Sequence, residues 1–192
     1  MNKRIISVTL LYLFQFFAVS CIDCEPIKTF ERRYKGFELK AWNTSGFQNN
    51  EVSSSVSKNS FGLSVFFEFG LSQIVHKSKL NFNSFGFGSA YAWSCPNDEY
   101  INIDPISSIL ITVKNTENQL ITDVTDNFTI YAFNGKQLLL NDFFEYNKRW
   151  HQELEIDLTE SDNIPNFSVF TVKIILESGI EFVEQTQEVI FE

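Results

Sequence analysis

Phe61, Leu63, Val65, Phe67 and Phe69 alternate with Gly62, Ser64, Phe66 and Glu68. Side chains along a strand point to opposite faces in turn, so a period of two predicts a strand with one face in a core. Gly70 is expected to end it. The same period recurs along much of the chain. In Tyr34 to Trp42, the residues Phe37, Leu39 and Ala41 share one face and Glu38 and Lys40 the other. Ile109, Ile111 and Val113 predict another strand, as do Phe128, Ile130 and Ala132. Leu154, Ile156 and Leu158 alternate with Glu153, Glu155 and Asp157. Phe170, Val172, Ile174 and Leu176 predict a long strand, and Val189 to Phe191 a last short one. Leu80 to Ser94 also reads as strand. Phe85, Phe87, Tyr91 and Trp93 take one parity there, and small residues take the other, a pattern suited to close approach by a neighbour.

Breaks in the pattern fall where turn chemistry lies. Asn134-Gly135 and Ser178-Gly179 are turn signals, Asp123 to Asp126 is expected to turn before Phe128, and Asn163-Ile164-Pro165-Asn166 interrupts a run. Residues 43–59 are rich in Ser and Asn and read as one long polar loop. Leu71 to Lys79 fits a short helix or a connection, and Leu138 to Tyr146 fits one or two helical turns. About eight short strands with one short helix predict an all-β chain. The expected architecture is an antiparallel β-sandwich, immunoglobulin-like, with a barrel as the alternative. No internal repeat is evident, so residues 31–192 are expected to form a single domain.

The first twenty residues follow a different rule. Lys3 and Arg4 precede a fifteen-residue, almost wholly apolar stretch from Ile5 to Val19, and Ser20 then precedes Cys21. A membrane-spanning helix needs about twenty apolar residues. The shorter stretch has the length of an export signal, so residues 1–20 are expected to be a cleaved signal peptide. Ala18-Val19-Ser20 fits ordinary secretory cleavage and gives a soluble secreted or periplasmic product. Ala18-Val19-Ser20-Cys21 also fits a bacterial lipobox, with Ala18 where Leu is usual. The second reading makes Cys21 the lipidation site, carrying palmitate-type acyl chains, and residues 21–30 a tether. Each buried CH₂ contributes about 0.8 kcal/mol, so two or three chains anchor far more firmly than one. Asp23 before Cys24 makes that cysteine a poor alternative.

Loss of residues 1–20 removes two basic residues and no acidic one, so the formal net charge moves from −9 to −11. That excludes a surface built to track nucleic-acid phosphates and a polybasic membrane domain; no nucleic-acid partner is expected. The 21 phenylalanines, with abundant Ile and Thr, favour half-buried strands. With Cys21 lipidated, Cys24 and Cys95 remain. In an oxidising compartment they form either a disulfide or two separate thiols. A bridge would close a 71-residue loop and contribute about 4 kcal/mol in the chain-entropy model.

Candidate chemistry is sparse. His76 and His151 are the only histidines and have no carboxylate or cysteine at metal-ligand spacing, so no metal site is expected. His151 reads as a partly exposed strand residue. Nucleophile-elbow, zinc-protease and phosphate-loop motifs are missing from the sequence, and no spacing singles out a glycosidase pair of carboxylates. No catalytic residue and no cofactor are expected, and the chain reads as non-enzymatic. Asp123-Val124-Thr125-Asp126 reads as a capped turn in preference to a Ca²⁺ loop. Trp42, Trp93, Trp150 and Phe66 are the candidate aromatic binding surface for a glycan, set against a purely structural role in a Phe-rich core.

The signal ending at Cys21, the run SKNSFGLSVFFEF from Ser57 to Phe69, AYAWSCP from Ala90 to Pro96 and DVTDNF from Asp123 to Phe128 resemble a cell-envelope lipoprotein family of Bacteroidetes-type bacteria, a domain without assigned activity. The resemblance implies an outer-membrane lipoprotein. Asp23 and Glu25, just after the lipidated cysteine, resemble a signal for surface export. The expected function is a lipid-anchored binding or interaction module whose partner is a glycan or an envelope protein. A carbohydrate-binding module of a glycan-uptake system and a structural or assembly subunit are the alternatives.

Overall fold

The computed structural model describes residues 27–46, 50–52, 55–74, 97–132, 134–146 and 149–192. The predicted strand at Leu80 to Ser94 lies outside them, as do Cys21, Cys24, His76, Trp93 and Cys95. The strands in chain order are β1 (Thr29–Asn43), β2 (Asn50–Glu51), β3 (Ser55–Val56), β4 (Phe61–Ile74), β5 (Glu99–Asn102), β6 (Ile106–Asn115) and β7 (Ile121–Asp123). Then come β8 (Phe128–Tyr131), β9 (Gln137–Leu139), the short helix α1 (Leu140–Tyr146), β10 (Glu153–Leu158), β11 (Phe167–Leu176), β12 (Glu181–Gln185) and β13 (Val189–Phe191). Among the described residues no helix is long and apolar enough to cross a membrane.

The chain divides into two compact units. Met1–Phe30 and Ser72–Ile101 form one, and Glu31–Leu71 and Asn102–Glu192 the other. In the first, the Glu99 N–H donates to the Lys28 carbonyl at 2.9 Å, and the Lys28 N–H donates to Asp98 at 3.0 Å. The Phe30 and Tyr100 rings stack there at 5.5 Å.

The second unit is the expected all-β sandwich. One sheet runs in the order β2-β1-β4-β10-β8-β9. The other runs β3-β13-β11-β6-β7, with β12 also pairing β11. β4, β8 and β10 pair antiparallel, as do β6 and β11, whereas the two-residue β3–β13 ladder is parallel. Inward residues of both sheets meet in one core. The Phe61 ring from β4 stacks on Phe170 of β11 at 4.9 Å and meets Phe191 of β13 edge-on at 5.1 Å. Phe128 of β8 completes the cluster, edge-on to Phe170 at 5.9 Å. Such offset and edge arrangements let aromatic quadrupoles attract as well as exclude water. They explain much of the phenylalanine content.

Period-two burial is regular on β10 and β11, where Leu154, Ile156, Leu158, Phe170, Val172, Ile174 and Leu176 are all buried. Ser168 is fully buried on the same side of β11, and its hydroxyl donates to the Pro165 carbonyl at 2.7 Å. Gly135 and Gly179 turn the chain with φ of +75° and +85°, a region open to glycine. The Asp123 turn also forms. The Thr125 N–H and hydroxyl both donate to the Asp123 carboxylate, at 2.9 and 2.7 Å.

Several expectations need correction. Residues 43–59 are not one loop, because β2 pairs with the end of β1 and β3 with β13, and Val56 is buried. Gly70 does not end its strand, which continues to Ile74. Ordered strand begins at Thr29, inside the segment assigned to the tether. The described residues contain thirteen strands instead of about eight, since two- and three-residue ladders leave too short a pattern to be read in sequence. Outward Gly62 and Ser64 of β4 are buried as well as the inward residues, so this part of the strand is covered on both faces.

Candidate functional site

The site starts from an inequality in strand length. β4 runs beside β10 from Glu153 to Asp157, whereas β8 pairs with β10 only from Ile156 to Leu158. The turn at Asn134-Gly135 takes the chain away after Tyr131. Toward Glu153 the β8 flank of β10 is therefore open, and a groove of about 410 Å³ lies there. Ile130, Leu154, Phe143 of α1 and His151 are its buried lining; Tyr131, Glu153, Glu155 and Asp157 form its polar rim.

Alternation places the three carboxylates on one face of β10. Glu153 stands opposite Phe66 on β4, Glu155 opposite Ser64 and Asp157 opposite Gly62. Gly62 is required by the closeness of the strands. A Cβ there would lie 2.9 Å from the Ile156 carbonyl oxygen and 3.3 Å from Asp157 Oδ1. Burial holds the Asp157 carboxyl above its ordinary range, and the neighbouring Glu155 charge adds to the rise. The same two causes, in the same order, raise Glu153. Among the described residues, none of the three has an ion-pair partner. No group of three His, Cys, Asp or Glu side chains among those residues is placed to hold a metal.

His151 is buried, contrary to its expected partial exposure. The Phe143 and Phe144 rings of α1 pack on it at 5.3 and 6.0 Å. Its backbone is also tied to β1. The His151 N–H donates to the Tyr34 hydroxyl at 3.0 Å, and that hydroxyl donates to the His151 carbonyl at 3.3 Å. Burial pushes the Tyr34 pKa up to about 12, partly opposed by this backbone bond and by Arg32.

The aromatic residues singled out in sequence are dispersed. Trp150 stacks on Tyr34 at 4.3 Å and 8°, meets Phe69 edge-on at 5.1 Å, and has the Arg32 guanidinium 5.4 Å from its ring centre. One face of its ring is thus covered by the protein. Trp42 lies eight residues further along β1 from Tyr34, roughly 27 Å at strand rise. Its Nε1 is buried without a hydrogen-bond partner among the described residues. Phe66 is half-buried on the outer face, with the Lys40 ammonium 5.6 Å from its ring centre. Tyr131 and Phe143, which line the groove, were missed. The alternation of Glu153, Glu155 and Asp157 was read only as evidence of a strand, although it also implies a charged row.

Comparison with protein-family models, with curated proteins and with solved structures finds no match to this chain.

Proposed function

We propose that the chain is a non-enzymatic interaction module of the bacterial cell envelope. It is tethered to the outer membrane by lipid on Cys21, and its groove beside β10 receives a cationic segment of an envelope protein. This reading keeps the immunoglobulin-like arrangement for the sandwich and the Bacteroidetes-type lipoprotein resemblance for the anchor. The observation that carries it is the groove. An open strand flank with an aromatic and aliphatic lining accepts the methylene stem of a lysine or arginine, and three carboxylates at the rim accept its head. Bringing a cation there relieves the repulsion that Glu155 exerts on Glu153 and Asp157.

Calorimetry with a short lysine-bearing peptide tests the binding. The expected result is saturable uptake that weakens about tenfold in Glu153→Gln/Glu155→Gln, since two charge contacts are lost. Uptake unaffected by those changes contradicts it. Mass spectrometry of the mature N-terminus tests the tether, with an acylated Cys21 expected and a free thiol contradicting it.

Tyr131 supports a second reading. It is 58% exposed at the rim, which gives a sugar ring a face to stack on beside carboxylates that accept hydroxyl hydrogen bonds. A glycan array giving binders that are lost in Tyr131→Ala would favour this reading over the peptide.

A further inference from the structure

We propose that the occupant of the groove binds as an added β-strand, an extended segment whose lysine stands opposite Glu153 and whose two flanking residues are apolar. The proposal rests on the groove reading above and gives that partner a conformation and a pattern. Backbone direction carries it. Along a strand the N–H and carbonyl of one residue point to the same flank, and successive residues alternate. The Phe67 N–H of β4 donates to the Gln152 carbonyl at 3.0 Å, so Gln152, Leu154 and Ile156 turn their backbone groups toward β4. Glu153, Glu155 and Asp157 therefore turn theirs toward the β8 flank. Beyond the far end of β10 the Thr159 N–H donates to the Asn127 carbonyl at 2.9 Å, in step with that assignment. Thr129 stands opposite Asp157, but the ladder to β8 reaches no further than Ile156. The Glu153 N–H and carbonyl and the Glu155 N–H thus face the groove without a backbone partner among the described residues. The window closes beyond Glu153, because the Tyr34 hydroxyl of β1 holds the His151 N–H at 3.0 Å and the His151 carbonyl at 3.3 Å. One antiparallel residue pair at Glu153, plus one further carbonyl at the Glu155 N–H, fills the open groups.

Side chains then set the sequence of the segment. Residues opposite each other in an antiparallel pair share a face, and diagonal neighbours stay within reach of long side chains. A residue opposite Glu153 falls on the face of the carboxylate row, diagonal to Glu155, and the row has no ion-pair partner among the described residues. Lysine answers that charge. Its two neighbours turn the other way, onto the buried lining that includes Ile130, Leu154 and Phe143, which suits valine. Main-chain bonds supply affinity in this mode, and the alternation of side chains selects among sequences.

The test uses the full chain and calorimetry with acetyl-Thr-Val-Lys-Val-Thr-amide, then with the same peptide N-methylated either at the lysine or at the second valine. In the proposed pairing the lysine N–H points at β10 and the valine N–H points away. Methylation at the lysine is expected to weaken binding about tenfold, and methylation at the valine less than about twofold. Equal losses at the two positions, or the larger loss at the valine, overturn the added strand and leave the cationic groove standing. No saturable binding of the unmethylated peptide overturns both. In the complex, amide exchange at Glu153 and Glu155 is expected to slow about tenfold. Unchanged exchange at both, with the peptide bound, overturns the added strand alone. The comparison needs no protein variant, so a failure to fold does not enter it.

Discussion

β10 and β11 each sit inside a sheet of the second unit, paired on both flanks, and their inward faces are interchangeable in kind. Leu154, Ile156 and Leu158 on one, and Phe170, Val172, Ile174 and Leu176 on the other, are all buried. Their outward faces differ. On β11, Val169, Thr171, Lys173 and Ile175 are half-buried, and the Lys173 charge is answered by Glu181 at 3.1 Å. On β10, Glu153, Glu155 and Asp157 stand in a row without an ion-pair partner among the described residues. A finished outer face neutralises its charges or spaces them. Unanswered like charges beside a groove are instead a place where an outside group lowers the free energy. The inward faces account for the fold, and the contrast between the outward faces is what the proposed binding role rests on.

The largest effect should come from breaking what the two strands share. Phe170→Ala removes a ring that touches Phe61, Phe128 and Phe191, and it is expected to cost about 3–5 kcal/mol in urea unfolding. A loss near that of an exposed substitution would mean the sheets are not held by this cluster. Gly62→Ala should follow. Its new Cβ meets the backbone of β10, which cannot rotate away, so about 1–3 kcal/mol is expected although Gly62 lies on the outward face. An unchanged denaturation midpoint would show the strands to be further apart.

Tyr34→Phe removes two hydrogen bonds to the His151 backbone and should cost about 1–3 kcal/mol. It should also change the alkaline limb of the stability curve. Burial raises the Tyr34 pKa to about 12, above its ordinary value, so the unfolded chain loses this proton first. The parent's Tyr34 contribution is therefore complete below pH 10 and lost as pH rises toward 12; the variant should lack that component. Parallel alkaline curves for parent and variant would contradict the assignment.

The smallest effect concerns the row itself. Folded Asp157 and Glu153 hold protons more tightly than the unfolded chain does, so their contribution is largest in acid and is lost as pH rises through their raised values. Asp157→Asn should consequently melt slightly higher than the parent at neutral pH, with the difference narrowing on acidification. A lower melting temperature at neutral pH would show that the charge is answered after all.

Strands with a buried and an exposed face were legible because alternation survives in the sequence; β4, β6, β10 and β11 fall where Phe61, Ile109, Leu154 and Phe170 head their patterns. The ladders at Asn50–Glu51 and Ser55–Val56 were not legible, since two residues carry no period. Nor was the core position of Tyr34. It is buried three residues before Phe37, so the buried side of β1 changes parity across Gly36. The groove was legible only in part. Its charged row is written in residues 153–157, but its opening depends on β8 ending before β10 does, a tertiary fact. Clustering of Trp150 with Tyr34 and Arg32, away from Trp42, likewise depends on strand order and not on residue type.

The most direct measurement is an amide chemical-shift titration of the protein with the lysine-bearing peptide, repeated with Glu155→Gln. Shifts concentrated at Tyr131, Ala132, Phe143 and residues 153–157, and largely lost in the variant, are the expected result. Shifts spread evenly over the acidic surface, or centred on the outward face of β11, would contradict the claim that the open flank of β10 is the binding site.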